Sequence, residues 1–433
     1  MRIALLAPFG LQPKGTVQAR ILPLAHALAQ RGHQVRVVIP PWDDPAASAN
    51  RFDRVELAVG APGSAPAGVH IVTLPLPARI PASAALTYGL IKEALNPSRR
   101  RFSDSTISAT AGQNEAVRSL ATFHAEVVHV FKPVGYTGLA GFALGALRVP
   151  WVLDVDDWEG RGGWADVNPY TPAQKLSITL MEALLPRLAR GVTAAGRTLE
   201  ARAWDMGLAR SRVTYLPNGV WRDKYGAWAA KLPDQDKLRE TLGLGGRPTI
   251  LLYTRFDVFP IEWPLTILKQ IVAEQPDAAL LVVGEGLRGE EKACLDHAEH
   301  MGLRDNMVMP GYVQGDTLPT YLSLGDVGIY PMQDTLLNRA KSPMKVLEPM
   351  LMGIPLVAHR VGQAAEFVGG AGVLVQPGDL PGMATATLSL LRDPTRRVRL
   401  GQYAQVRVWD CFNWENLSEQ AEAAYERALG KLV

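Results

Sequence analysis

The stretch Asn338–Glu366, NRAKSPMKVLEPMLMGIPLVAHRVGQAAE, sets a basic loop, a hydroxyl and a carboxylate at spacings that suit an anion and a polyol. A helix beginning near Ser342 would turn its unpaired N–H groups and the positive end of its dipole back on the loop. Lys341 and Lys345 would strengthen that field, and a phosphate is the natural ligand. Glu348 sits six residues into this helix in a row of Met, Val, Leu and Pro. A buried carboxylate needs hydrogen-bond donors, and a pair of hydroxyls would serve. An ordinary amphipathic helix with exposed lysines fits these residues as well.

A second concentration of chemistry lies at DVDDWEGRGGW, where Asp154, Asp156, Asp157 and Glu159 follow the apolar run Pro150–Leu153. Carboxylates this close repel unless a cation or hydroxyl donors intervene. Lys132 and Arg161 are candidates for that charge, so no ion is required, and Asp156 and Asp157 are read as a cleft edge that holds hydroxyls of a ligand. A metal site and a capped turn are the competing readings, and DxDD alone is a weak metal signal.

Elements must position these groups. A chain of 433 residues is expected to form two domains of roughly 200 residues each. With 47% hydrophobic residues each domain can bury a core. The balance of 45 basic against 42 acidic residues, +3 overall, argues against nucleic acid as a bulk partner. Cys294 and Cys411 suggest neither a disulfide framework nor a zinc site, which fits a reducing cytoplasmic setting. No apolar run is long enough to span a bilayer.

From the start, residues 1–41 read strand, loop, helix, strand, with Gly32 placed as a C-cap glycine. Loop Gly10–Gln18 belongs at the carboxyl end of a strand, where ligands of open α/β sheets gather. Pro40–Pro45 opens a loop in a less regular region. Leu86–Ala94, followed by Arg99, Arg100 and Arg101, reads either as a solvated helix end or as a basic amphipathic segment touching a membrane. Residues 125–135 give a buried strand holding His129, and 171–205 read as helical. Strand 212–216 runs into Pro217-Asn218-Gly219-Val220, a turn suited to a hinge. The alternation then restarts with Thr249–Tyr253, followed by Arg255. It continues through Ala279–Gly284, Met307–Tyr312, Asp326–Tyr330 and the edge strand Val373–Val375, to an amphipathic helix over 412–433 with Trp414 as an anchor.

The pattern K-S-P-x-K-x-x-E-x-M-x-x-G-x-P-x-V over Lys341–Val357 resembles the donor-binding segment of family-4 glycosyltransferases. The resemblance implies a GT-B fold, with two Rossmann-like parallel-sheet domains facing each other across a cleft. It makes 1–216 the acceptor domain, joined by a helix over 413–433 that crosses back, and 217–412 the donor domain. The implied activity is transfer of a sugar, with retention, from a nucleotide sugar to a hydroxyl acceptor. That acceptor can be a glycan, a lipid or a small molecule, and the nucleotide sugar is a co-substrate with no further cofactor. Glu348 matches the family's second motif Glu, which holds the ribose hydroxyls. Gly15, Lys341 and Ser342 match further donor-binding positions, and Arg255 the first half of the diphosphate clamp. The sequence departs from the pattern at Ala340, where the first motif Glu belongs, at Phe131 in place of a His, and at Pro260 in place of the clamp lysine. Lys345 is expected to supply the missing charge beside Arg255 as the catalytic pair. These departures keep two rivals in view, a non-catalytic sugar-nucleotide-binding protein and a GT-B sugar-nucleotide epimerase.

Overall fold

The computed structural model describes residues 1–11, 15–41, 55–59, 69–76, 79, 81–95, 123–221, 225–226, 235–286, 288–313 and 315–432. The loop that follows Pro41 and the Arg99–Arg101 segment lie outside them. Contacts divide the chain into two compact units. One comprises Met1–Ala195, Leu199–Leu216 and Leu417–Val433; the other comprises Gly196–Thr198 and Pro217–Asn416.

The first unit holds an eight-stranded sheet made of β1 (Arg2–Leu6), β2 (Gln34–Ile39), β3 (Val55–Val59), β4 (Val69–Thr73), β5 (Val127–Phe131), β6 (Trp151–Val155), β7 (Gly191–Ala194) and β8 (Val213–Tyr215). Its order is β3-β4-β2-β1-β5-β6-β7-β8. Every pairing is parallel except that of β3 with β4. Strands covered by helices on both faces read as unbroken apolar runs, and VVHVF of β5 is buried along its whole length. The strand order reverses between β1 and β5, so the loops after these two strands flank the crevice of the sheet.

The second unit repeats the plan with β9 (Thr249–Tyr253), β10 (Ala279–Val283), β11 (Met307–Gly311), β12 (Val327–Tyr330), β13 (Leu356–His359) and β14 (Val373–Val375). Their order is β11-β10-β9-β12-β13-β14, parallel throughout. Here the order reverses between β9 and β12.

Three sequence expectations need correction. Residues 171–205 are not one helical stretch: helices Pro172–Leu188 and Arg197–Asp205 enclose β7, a fully buried strand of four residues. The loop before Ser342 contains a short helix, Leu336–Ala340, and the next helix begins at Met344 with Pro343 as its cap. Leu86, Leu90 and Ala94 face inward, within the helix Ala82–Leu95. Val220 N–H donates to Phe412 O and Trp414 N–H donates to Val220 O, and the Trp414 side chain is fully buried. Residues Leu417–Val433 belong to the first unit.

Candidate functional site

In the second unit the candidate groups gather at Tyr253, the last residue of β9. Arg255 is half-buried just beyond the strand, and among the described residues no carboxylate pairs with it. Its loop is tight. Phe256 has φ +61, a conformation costly for a bulky side chain, and its N–H donates to Thr254 Oγ1 at 2.8 Å. The backbone of β10 closes on this turn at Gly284, where a Cβ would stand 2.0 Å from Thr254 O.

The helix Met344–Leu351 brings Lys345 and Glu348 to the same place. Lys345 Nζ lies 3.7 Å from the centre of the Tyr253 ring, a cation–π contact. Glu348 is buried, and Tyr225 Oη donates to its Oε1 at 2.6 Å. Tyr253 lies near enough for the Glu348 charge to act on its phenol. Burial first, and the Glu348 charge next, raise both phenols well above their ordinary pKa, so both stay protonated donors. One of the hydroxyl donors that a buried Glu348 demands is therefore Tyr225.

Two neighbouring candidates are engaged elsewhere. Lys341 Nζ pairs with Asp257 Oδ2 at 2.9 Å. Ser342 Oγ accepts from Asn218 N–H at 2.9 Å, while Ser342 O accepts from Asn218 Nδ2 at 2.7 Å. These bonds fasten the Pro217–Val220 turn to the start of the helix. Ala340, at the position of the family's first motif Glu, is fully buried.

In the first unit Lys132 follows β5 with φ +62 and is buried. Its Nζ lies 2.9 Å from Asp156 Oδ1, 2.6 Å from Asp157 Oδ2 and 2.7 Å from Glu159 Oε1. Burial alone would depress this ammonium, but the three carboxylates outweigh it and raise its pKa well above the ordinary lysine value. The carboxylate oxygens lie within 4.8 Å of one another, a spacing that would also suit a metal ion. The charge at their centre is the ammonium. Burial, with Asp157 and Asp156 adding repulsion against the pull of Lys132, pushes Glu159 up to about 7. Glu182 holds the loop from below, accepting from Glu159 N–H at 2.8 Å, Gly160 N–H at 3.1 Å and Arg202 Nη2 at 2.7 Å.

Asp154 does not belong to this cluster, and Arg161 does not neutralise it. Asp154 lies within β6 and is completely buried, with its carboxylate paired to Arg20 at 2.8 and 2.6 Å. Thr193 donates to Asp154 Oδ2 at 2.6 Å and accepts from His129 Nε2 at 3.0 Å; His129 Nδ1 accepts from Tyr425 Oη at 2.8 Å. Burial and the nearby Arg20 hold His129 neutral. This chain satisfies five buried polar side chains and ties residues 417–433 to β5. It also fixes the π-helix Val17–Ile21, which carries Arg20. Gly15 stands just before that π-helix, half-buried, and its carbonyl accepts from Ala19 N–H at 3.2 Å.

Sequence reasoning did not single out Tyr225, Tyr253 or Asp257. Tyr253 carries the one available signal, a phenol at the carboxyl end of a central strand.

Comparison with known proteins now decides the family. A family model described as a glycosyl transferase 4-like domain matches residues 15–219, and a second, glycosyl transferases group 1, matches residues 247–393. The chain belongs to the family-4 glycosyltransferases. Alpha-D-kanosaminyltransferase of Streptomyces kanamyceticus is 29% identical over 196 residues, 45% of this chain and 48% of the relative. The chain thus spans about half the length of that relative. Phosphatidyl-myo-inositol mannosyltransferase of Mycolicibacterium smegmatis is 24% identical, with 99% of this chain and 95% of the relative covered. Among solved structures, Anabaena HepE in complex with UDP shares the GT-B fold, with a TM-score of 0.63 at 17% identity and 98% of each chain covered.

Proposed function

We propose that the chain transfers a sugar, with retention, from a nucleotide sugar to a hydroxyl acceptor, using no bound cofactor or metal. The observation that carries this reading is the convergence on Tyr253 of a buried carboxylate and two cations. In the proposed complex Glu348 holds the ribose diol, and Arg255 and Lys345 face the diphosphate beside the first amides of the Met344–Leu351 helix. The bond from the sugar's anomeric carbon to the diphosphate oxygen breaks as the acceptor oxygen bonds to that carbon. The acceptor's proton ends on the released nucleoside diphosphate. Preorganised positive charge at the leaving group is the main catalytic contribution, and one such donor supplies about 2.7–4 kcal/mol.

Lys341 and Ser342 shape the donor loop through Asp257 and Asn218, and Gly15 lets backbone approach the donor. Asp156 and Asp157, held by Lys132, bind acceptor hydroxyls. Among the described residues no helix is long and apolar enough to cross a membrane.

The test is a thermal-shift screen of uridine and guanosine diphosphate sugars, followed by assay of nucleoside diphosphate release. A ligand at one hundred times its dissociation constant adds about 2.7 kcal/mol of stability. Stabilisation by one nucleotide series that Glu348→Gln removes, together with acceptor-dependent release, is expected. Binding without release would favour the non-catalytic reading, prompted by Ala340 and Pro260. No stabilisation by any nucleotide would overturn both.

A further inference from the structure

We propose that the acceptor held at the Lys132 site is a polyol bearing a primary amine, bound as its ammonium, with the sugar delivered to a hydroxyl of the same molecule. The inference rests on the reading of Asp156 and Asp157 as acceptor ligands and adds the charge of what they hold.

The site is short of positive charge. Asp156, Asp157 and Glu159 share one cation, and three ionised carboxylates around one ammonium leave two negative charges uncovered. Uncovered charge is costly in a place this buried. Neighbouring cations are committed elsewhere. Arg20 closes its fork on Asp154 at 2.8 and 2.6 Å, and Arg202 pairs with Glu182 at 2.7 Å. Arg161 is exposed and, among the described residues, pairs with no carboxylate. Without a ligand a proton makes up part of the deficit, since the Glu159 carboxyl is pushed up to about 7.

The site is also short of a donor, which is a separate observation. Asp156 is 9% exposed, and its Oδ1 is buried with no hydrogen bond. Lys132 Nζ lies within ion-pair distance of that oxygen but directs its hydrogen bonds to Asp157 Oδ2 and Glu159 Oε1. A buried oxygen of this kind calls for a donor from outside the chain. A primary ammonium brings three N–H donors and a positive charge, so it meets both deficits, whereas a hydroxyl brings one donor and no charge. A divalent ion at the centre of the three carboxylates would have to take the place of Lys132 Nζ. An amine on a sugar or cyclitol ring needs no such exchange. It can approach past Asp157, the most open of the three acids, while its ring hydroxyls meet the remaining lone pairs.

Paired acceptors test the proposal. Glucosamine, galactosamine and mannosamine are each set against the parent hexose, in which a hydroxyl replaces the amine. Binding is read at neutral pH by saturation-transfer NMR on the full chain, and transfer with the donor that the nucleotide screen selects. At least one amine should bind about tenfold or more tightly than its parent and should be the better acceptor. Asp157→Asn should lower that preference about tenfold; the isosteric Asp156→Asn serves the same purpose if the first variant does not fold. Absence of amine binding, an equal or better response to every parent hexose, or a preference that neither variant lowers would overturn the proposal. So would a thermal shift of the unaltered chain with manganese, which would give the cluster to a metal. Preferential amine binding without transfer to any acceptor would uphold the ammonium site and strike the transferase reading instead, so the two failures are distinct.

Discussion

Tyr225 Oη and Glu348 Oε1 lie 2.6 Å apart, although 123 residues separate them in the chain. Tyr225 donates, so one carboxylate oxygen has a fixed partner before any ligand arrives. An acceptor oxygen has more than one lone pair, which leaves capacity for a diol.

Glu348→Ala should weaken nucleotide binding by about 1.5–3 kcal/mol, the range for hydrogen bonds to a charged group. Tyr225→Phe should cost less, and it should narrow the preference for ribonucleotides over their 2′,3′-dideoxy analogues. Calorimetry with both ligand types checks this. A Tyr225→Phe variant that keeps the full preference would make Tyr225 a packing residue only.

The two cations at Tyr253 should act on phosphate rather than on the nucleoside. Arg255→Ala and Lys345→Ala are each expected to weaken nucleoside diphosphate binding more than monophosphate binding, and to lower turnover further still. Equal losses for the two ligands would remove both residues from the distal phosphate.

Lys132 stands where a metal ion could. Lys132→Ala leaves Asp156, Asp157 and Glu159 without their cation, so the variant should be destabilised and should gain a thermal shift with manganese or calcium. The unaltered chain should show no such shift, and chelator should leave its activity in place. Asp156→Asn and Asp157→Asn should impair transfer while sparing nucleotide affinity. Activity that vanishes with chelator and returns with magnesium would establish a metal site instead.

Glu159 carries a pH signature. Its carboxyl is raised from 4.5 to about 7 in the fold, so the folded chain binds more protons than the unfolded chain between those values. Stability therefore falls as pH rises through this window, and the cost is complete above it. The magnitude is on the order of a few kcal/mol. Glu159→Gln should flatten that part of the profile, as read by denaturant titration at pH 5 and pH 8. A variant whose profile still parallels the parent's would contradict the shift.

The buried Arg20–Asp154 pair gives a stability test free of ligand. Removing one partner strands the other charge, so Asp154→Ala should cost about 3–5 kcal/mol. A loss below 1 kcal/mol would mean that water reaches Arg20.

Much of this was legible in the residues, for identifiable reasons. Buried parallel strands such as ALLVV of β10 announce themselves as apolar runs, and Gly32 at φ +84 ends its helix where a C-cap glycine belongs. β7 was not legible, because GVTA is short, carries glycine and threonine, and sits between two long helical patterns. Asp154 was grouped with Asp156 and Asp157 because adjacency in sequence hides where a strand stops. Asp154 is still inside β6 and reaches the core, whereas the two later acids lie past its end. Tyr225 could not be matched to Glu348, since a hydrogen bond between distant residues leaves no local pattern.

The bond between His129 and Tyr425 spans 296 residues and lies wholly within the first unit. During synthesis that unit is begun first, yet it cannot be finished until residue 425 has left the ribosome. Until then His129 lacks its phenol partner, and water is left to satisfy its Nδ1. The second unit, by contrast, has all its residues available earlier.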